Sequence, residues 1–226
     1  CDLKIPDIEE FIDCPRSELP WVKKCIDITP EWWHETPEST RQKIYKAIQG
    51  GDLWLNKVKY TDEGERIYGN VCLEIYLKSR GTCLLQHINI GACELEDLSG
   101  AFVQGMSELC DLHKRTGVGE TGEYLSPEID KQVGLGLLGL ANFLRRQGVS
   151  YAAFGEALNN VDDPEMAQTP ALVLAREFQC AVAGAANVAR AAGMDRAFTI
   201  APTASCSYRY TDLDGYTTTP EIAPPI

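Results

Sequence analysis

The chain has no apolar run near the roughly 18 to 20 residues that a membrane-spanning helix needs, and its opening CDLKIPDIEE lacks the basic-then-apolar pattern of a secretory leader. These absences exclude a helical membrane protein and point to the cytoplasm. Positive charge is scarce too: 21 Lys and Arg face 33 Asp and Glu, for a net charge of -12, and the basic residues are dispersed. A nucleic-acid polymer needs clustered cations, so it is excluded as a partner, and any nucleotide bound is a small molecule. Histidine is limited to His34, His87 and His113, none beside cysteines at finger-like spacing, and no two of the nine cysteines form CxxC. No metal site is expected. Internal repeats and low-complexity tracts are also missing. The sequence has no initiator Met and stops at Pro224-Pro225-Ile226 after a Thr-rich loop, so it reads as a fragment of a longer protein.

What remains is ordinary globular composition, 44% apolar and 24% charged, enough to bury a core. Most cysteines then read as small buried hydrophobes, with Cys25, Cys93, Cys110 and Cys180 assigned to the interior. The patterning predicts a helix over residues 5–12, a strand over 25–28 ended by Thr29-Pro30, and a helical region opening at Pro30. A further helix over 40–49 is capped by Ser39 with Gln42 and closed by Gly50-Gly51. Residues 52–70 read as a polar loop leading to a strand at Val71. Alternation in that strand sends Asn70, Cys72 and Glu74 to one face and Val71, Leu73 and Ile75 to the other. An amide, a thiol and a carboxyl side by side suit a lined cavity better than a structural face.

A second strand over 83–90 aligns Cys83, Leu85, His87 and Asn89, where His87 and Asn89 are either ligands or a hydrogen-bonded pair at a strand end. An amphipathic helix over 96–115 follows, with Leu98, Phe102, Met106, Leu109 and Leu112 as its core stripe. After a glycine-rich loop over 117–124, Ser126 and Pro127 supply the cap and first position of another helix. That helix would contain Gly134, Gly136 and Gly139, a formal GxGxxG. The dinucleotide fingerprint needs a strand before it and an acidic residue about twenty positions later, so these glycines read as close helix packing. A long Ala-rich helix is expected from Asp163 to about Ala192, ending at Gly193, and then a buried strand over 197–201. The turn Pro202-Thr203-Ala204-Ser205-Cys206-Ser207 is either an anion-binding strand-to-helix turn or a plain Ser-capped one. Strands alternating with long helices predict an α/β fold rich in parallel pairing, with ligands at the carboxyl ends of strands.

Several motifs together resemble one family. Asn70-Val71-Cys72-Leu73-Glu74, Cys83 followed by Ile88-Asn89-Ile90-Gly91, VGLGLLGLA over 133–141 and IAPTAS over 200–205 resemble, in that order, four signatures of the ribonucleotide reductase catalytic subunit: its NxCxE finger loop, second redox cysteine, VGLGxxGLA helix and phosphate-binding turn. Residues 6–12 are similar to its DIxEF helix and 220–225 to its IEPP-like loop. The resemblance spans essentially the whole chain, in the style of phage and cyanobacterial enzymes. It implies one domain over 1–226 that forms part of a ten-stranded α/β barrel, with a finger loop at about 68–82, a phosphate-binding turn at 202–207 and no second domain.

It further implies that Cys72 carries a thiyl radical that abstracts the 3′ hydrogen of a ribonucleotide di- or triphosphate. Glu74 accepts the 3′-hydroxyl proton as the 2′-hydroxyl leaves as water, and Asn70 holds the substrate hydroxyls. Cys83 is one of two thiols that reduce the intermediate and end as a disulfide. Pro202, Thr203, Ala204, Ser205 and Cys206 form the diphosphate turn. The radical would come from a metal-containing small subunit or, alternatively, adenosylcobalamin; Val71, where many cobalamin enzymes carry Pro, favours the subunit. No cofactor is expected on this fragment itself. Thioredoxin or glutaredoxin would supply a dithiol, the full-length protein would be a homodimer, and a viral version would work in the host cytoplasm. The family's first redox cysteine matches neither Cys1 nor Cys14. The radical-transfer tyrosines, C-terminal cysteine pair and allosteric region would also lie outside these residues, leaving the fragment inactive alone. Two other readings remain: an NAD(P)-dependent oxidoreductase using Gly134, Gly136 and Gly139, and a non-catalytic nucleotide-binding module.

Overall fold

A computed structural model describes residues 1–116, 123–164 and 167–221, and the chain divides into two compact units, Cys1–Ser79 and Arg80–Ile226. In the first, helix α1 (Ile8–Asp13) precedes strand β1 (Cys25–Ile28), helix α2 (Pro30–Glu35) and helix α3 (Glu38–Gln49). Thr29 caps α2 by accepting the Trp32 N–H at 3.2 Å, and Pro30 fills its first position. Gly51, at φ +70°, ends α3 as expected. The helix begins at Glu38, ahead of the expected Ser39 cap, and the Glu38 carboxylate accepts hydrogen bonds from Arg41 and Gln42.

Residues 52–70 are not the expected loop. They form β2 (Trp54–Lys57), β3 (Lys59–Tyr60) and β4 (Arg66–Gly69), joined by β5 (Tyr76–Leu77). β2 runs parallel to β1, from Cys25 opposite Trp54 to Ile28 opposite Lys57, while β3, β4 and β5 form an antiparallel meander. These strands are short and partly polar, so pairing across the sheet, not their own pattern, decides them. Ile26, Ile44, Leu53, Leu3 and Ile12 form this unit's core. The buried Lys24 ammonium donates to the carbonyls of Ile12 (3.0 Å) and Cys14 (2.7 Å) and pairs with Asp52 (2.9 Å), which satisfies a charge that burial would otherwise penalise.

The second unit is a three-stranded parallel sheet in the order β6 (Leu85–Asn89), β7 (Gln132–Leu138), β8 (Arg196–Phe198). Its helices are α4 (Leu98–Arg115), α5 (Leu140–Arg146), α6 (Tyr151–Asn159), α7 (Pro170–Ala191) and the single turn α8 (Ala204–Ser207). Phe102 and Met106 of α4, Leu135 of β7, and Leu172 and Ala175 of α7 share one buried core, where Phe178 packs edge-to-face on Phe102 and Phe154 at 5.6 Å. Among the described residues no helix is long and apolar enough to cross a membrane.

Five expectations are corrected here. Ser126 starts only a single turn, closed by the N–H groups of Ile129 and Asp130 on its carbonyl at 2.9 Å, and the chain then enters β7. A central parallel strand is covered on both faces and shows no alternation, so its apolar, glycine-rich run carries no strand period to read. The long helix begins at Pro170, with Thr169 as its cap, not at Asp163; its end before Gly193, at φ +79°, is as expected. Leu112 is exposed while Cys110 and His113 are buried, because the stripe drifts around α4. Cys180 is exposed and Cys25 and Cys93 are half-buried, which leaves Cys110 as the interior thiol of that set. The strand expected over 197–201 is an edge strand with Phe198 and Ile200 exposed. The loop at 117–122 and residues 222–225 of the IEPP-like segment lie outside the described residues. The architecture is mixed α/β with parallel sheets.

Candidate functional site

Asn70, Cys72 and Glu74 do not lie along a strand. Residues 70–75 are the loop of the β4–β5 hairpin, which closes through Tyr68 opposite Leu77 and Gly69 opposite Tyr76. The Asn70 N–H donates to the Ile75 carbonyl (3.1 Å), the Ile75 N–H to Asn70 Oδ1 (3.4 Å), and the Leu73 N–H to the Asn70 carbonyl (3.0 Å). Leu73 takes φ +63°, which breaks strand alternation outright. Asn70 thus braces the loop with backbone and side chain. Cys72 is displayed at the exposed tip beside Val71, and Glu74 is partly buried. At the hairpin's base the Tyr76 hydroxyl donates to Asn56 Oδ1 (2.7 Å), whose amide donates to Asp27 (2.7 Å). Burial pushes the Tyr76 hydroxyl above its ordinary pKa, with Asp27 adding to the shift.

In the second unit the carboxyl ends of the strands carry Asn89, Gly139 and Thr199. Gly139 sits at φ +79°, and a Cβ there would come within 3.0 Å of Asn89 Oδ1 and the Gly91 nitrogen, so this turn accepts only glycine. Gly134 and Gly136 lie inside β7. A Cβ on Gly136 would reach 2.6 Å from His87 Nε2 and 2.5 Å from the Thr199 carbonyl. These glycines therefore serve side chains that cross over the strand, and the helix-packing reading is corrected. The dinucleotide fingerprint is no better served, because only Gly139 stands at a turn. The first N–H of α5, that of Leu140, already donates to Glu221 Oε1 at 2.8 Å, where a pyrophosphate would sit.

Glu221 also accepts the Tyr151 hydroxyl on Oε2 at 2.6 Å. Burial raises the pKa of this carboxyl against the pull of those bonds, and burial, followed by the hydrogen bond to Glu221 and then its charge, raises that of Tyr151. Residues 208–221 form a strap tied to α5. Asp212 is buried and accepts from Asn142 (2.9 Å), Arg145 (3.2 Å) and the backbone of Asp214 (3.0 Å) and Tyr216 (2.8 Å). Although burial raises this carboxyl, the Asn142 bond and the other donors outweigh it and hold it below the ordinary range. Asn142 also donates to the Thr217 carbonyl (3.1 Å) and accepts from the Thr219 N–H (3.0 Å). The strap leaves Tyr208, Tyr210 and Tyr216 exposed.

The strap reaches the expected anion turn through Thr218, whose hydroxyl donates to the Ser207 carbonyl. Thr203 takes φ +41°, and its carbonyl receives the N–H groups of Cys206 (3.0 Å) and Ser207 (2.9 Å) to close α8. The N–H groups of Ala204 and Ser205, which open α8, have no acceptor within the helix, and Ser205 and Cys206 are exposed, while Pro202 has no N–H to give. Cys83 lies elsewhere. It precedes the amino end of β6, whereas the turn at 202–207 follows the carboxyl end of β8, and five residues of strand put about 16 Å between those ends. Cys72 belongs to the other unit. His87 and Asn89 share a face of β6 as expected, and Asn89 donates to the Thr211 carbonyl at 3.1 Å.

Sequence reasoning missed Asn142, Asp212, Tyr151, Glu221, Asp130 and Gln132. The run Thr211-Asp212-Leu213-Asp214-Gly215 was the available signal, since Asp and Gly at those offsets mark a turn closed by a side chain. Among the described residues no group of three or more His, Cys, Asp and Glu is placed to hold a metal. No known family model matches the chain, and no curated protein matches it.

Proposed function

We propose that this chain carries catalytic residues of a ribonucleotide reductase. The observation that carries the reading is the exposed thiol of Cys72 at the tip of a hairpin loop braced by Asn70, within the NxCxE order. A cysteine suits hydrogen-atom exchange because its S–H bond is weak, and the braced loop offers it without burying it. In this reading a Cys72 thiyl takes the 3′ hydrogen of the ribose, Glu74 takes the 3′-hydroxyl proton and the 2′-hydroxyl leaves as water. Cys83 and a second thiol supply two electrons and two protons and become a disulfide, which thioredoxin or glutaredoxin reduces. Cys72 then returns its hydrogen to C3′. Asn70 contributes by fixing the loop as well as by any contact to substrate. The diphosphate faces the first-turn N–H groups of residues 203–205, and the whole protein completes a ten-stranded barrel and dimerises in the cytoplasm.

The radical source in this proposal is a metal-containing partner subunit. Val71, where many cobalamin enzymes carry Pro, favours that source, and adenosylcobalamin is the alternative. The test is deoxyribonucleotide formation by the native protein that contains this chain, supplied with its radical source, a dithiol and ribonucleoside di- or triphosphates. Cys72→Ser is expected to abolish product and Cys180→Ser to leave most of it; retained turnover in Cys72→Ser overturns the reading.

A further inference from the structure

Thr82, the residue that leads into Cys83, is gripped through both its N–H and its carbonyl by buried side chains. The Thr82 N–H donates to Asp130 Oδ2 at 2.6 Å, and the Thr82 carbonyl accepts from Gln132 Nε2 at 2.9 Å. Asp130 and Gln132 are each 1% exposed. On the other side of Cys83 the Leu84 carbonyl accepts the Gly134 N–H at 2.9 Å, and the Leu84 N–H donates to the Thr82 carbonyl at 3.1 Å. Both flanks of an exposed thiol are therefore fixed to the amino end of β7.

Asp130 is itself held in place. Its carbonyl pairs with Nε2 of the buried His113 at 2.6 Å, and its N–H donates to Ser126 at 2.9 Å. Its second carboxylate oxygen, Oδ1, is buried without a partner among the described residues. A buried carboxylate with one oxygen unmet depends heavily on the bond its other oxygen makes. Here that bond is to the Thr82 N–H, so moving Thr82 would strand the carboxylate. An ordinary strand-edge hydrogen bond would not resist displacement in this way. Backbone pairing alone would also suffice to start β6, yet two buried polar side chains engage one residue, Thr82, next to a thiol.

We propose that Asp130 and Gln132 are positioning residues that set the direction of the Cys83 thiol for disulfide exchange. This rests on the redox role given to Cys83 above. A disulfide forms only when both sulfur atoms meet within a narrow range of distance and dihedral angle, so a thiol that must open and close a bond every turnover gains from a fixed backbone. Neither residue touches substrate in this account; they act through the Thr82 peptide.

The experiment pairs two readouts on the native protein. Exchange of the Thr82 amide, followed by NMR, reports the clamp whatever the chemistry. Multiple turnover with a dithiol, at saturating nucleotide, reports the use of Cys83. Asp130→Ala is expected to speed Thr82 exchange at least tenfold and to lower kcat at least tenfold with KM unchanged, whereas Asp130→Asn, which keeps an acceptor oxygen, stays within about threefold of the native protein in both. Should Asp130→Ala fail to fold, Gln132→Ala, which removes the donor to the Thr82 carbonyl and leaves Asp130 in place, is expected to lower kcat in the same way with KM unchanged. Faster Thr82 exchange with native kcat, in a protein where Cys83→Ser blocks turnover, overturns the positioning role while sparing the redox reading. Native exchange in Asp130→Ala overturns the clamp. Undiminished turnover in Cys83→Ser overturns the redox reading and the positioning role together.

Discussion

Asn142 uses its side-chain amide in both directions, donating to Asp212 and Thr217 and accepting from Thr219, at a site where water cannot replace a lost partner. Asn142→Ala leaves Asp212 buried with fewer donors, so a loss of about 2 to 4 kcal/mol is expected, read as a fall of roughly 5 to 10 °C in Tm. The same network gives a pH signature. Asp212 is held below its ordinary pKa, so the fold favours its ionised form. That stabilisation is complete above roughly pH 4 and disappears as pH falls through the lower value the fold imposes. Glu221 has the opposite sign: burial raises it, so its neutral form is favoured and its contribution is lost as pH rises past its raised value. Melts across pH should show an acid-side decline that Asp212→Asn flattens, and an equal decline in that variant would remove the assignment. None of these residues is visible as a pair in the chain order, since Asn142 and Asp212 meet only after α5 and the strap have packed.

At the scale of elements, β7 is where local and tertiary preferences part. Glycine is poor in a strand, but here His87, Leu85 and Thr199 fill the space its missing side chain leaves. Gly136→Ala would push a Cβ to 2.5 Å from the Thr199 carbonyl, which cannot rotate away, and a loss of about 2 to 4 kcal/mol is expected in denaturant melts. Gly100→Ala is the control. It lies in α4 with nothing within 4 Å of its would-be Cβ, so alanine should stabilise by about 0.5 to 1 kcal/mol in the same melts. The elements legible in the sequence, α2, β1, β6, α4 and the end of α7, carry their own signals: Thr-Pro caps, a helical apolar stripe, a Gly stop. β2 to β5 carry almost none, because two- to four-residue strands with mixed polarity are stabilised by their neighbours. The hairpin tip at residues 70–75 was misjudged as geometry, since the positive φ at Leu73 follows from closing a hairpin whose strands were not foreseen.

At the scale of the whole molecule, each compact unit has a core made from its own residues, Ile26 and Ile44 in the first, Phe102, Leu135 and Leu172 in the second. Residues 80–226 expressed alone should therefore unfold in one cooperative thermal transition by calorimetry, and a broad, non-cooperative melt would refute that independence. By itself the sequence determined the class of the molecule, mixed α/β with parallel pairing, because apolar periodicity and helix caps are local and survive without a partner. The groups proposed for chemistry, Cys72, Glu74 and Cys83, were named from residue type and near neighbours alone. Only the tertiary structure decided that the glycine run is a buried strand, that Asn70 braces a loop, that Asp130 and Gln132 hold Thr82 beside Cys83, and that Asn142 and Asp212 hold the strap to α5. Those roles depend on buried hydrogen bonds between residues as far as 77 positions apart, and no local pattern encodes which distant donor a buried acceptor will meet.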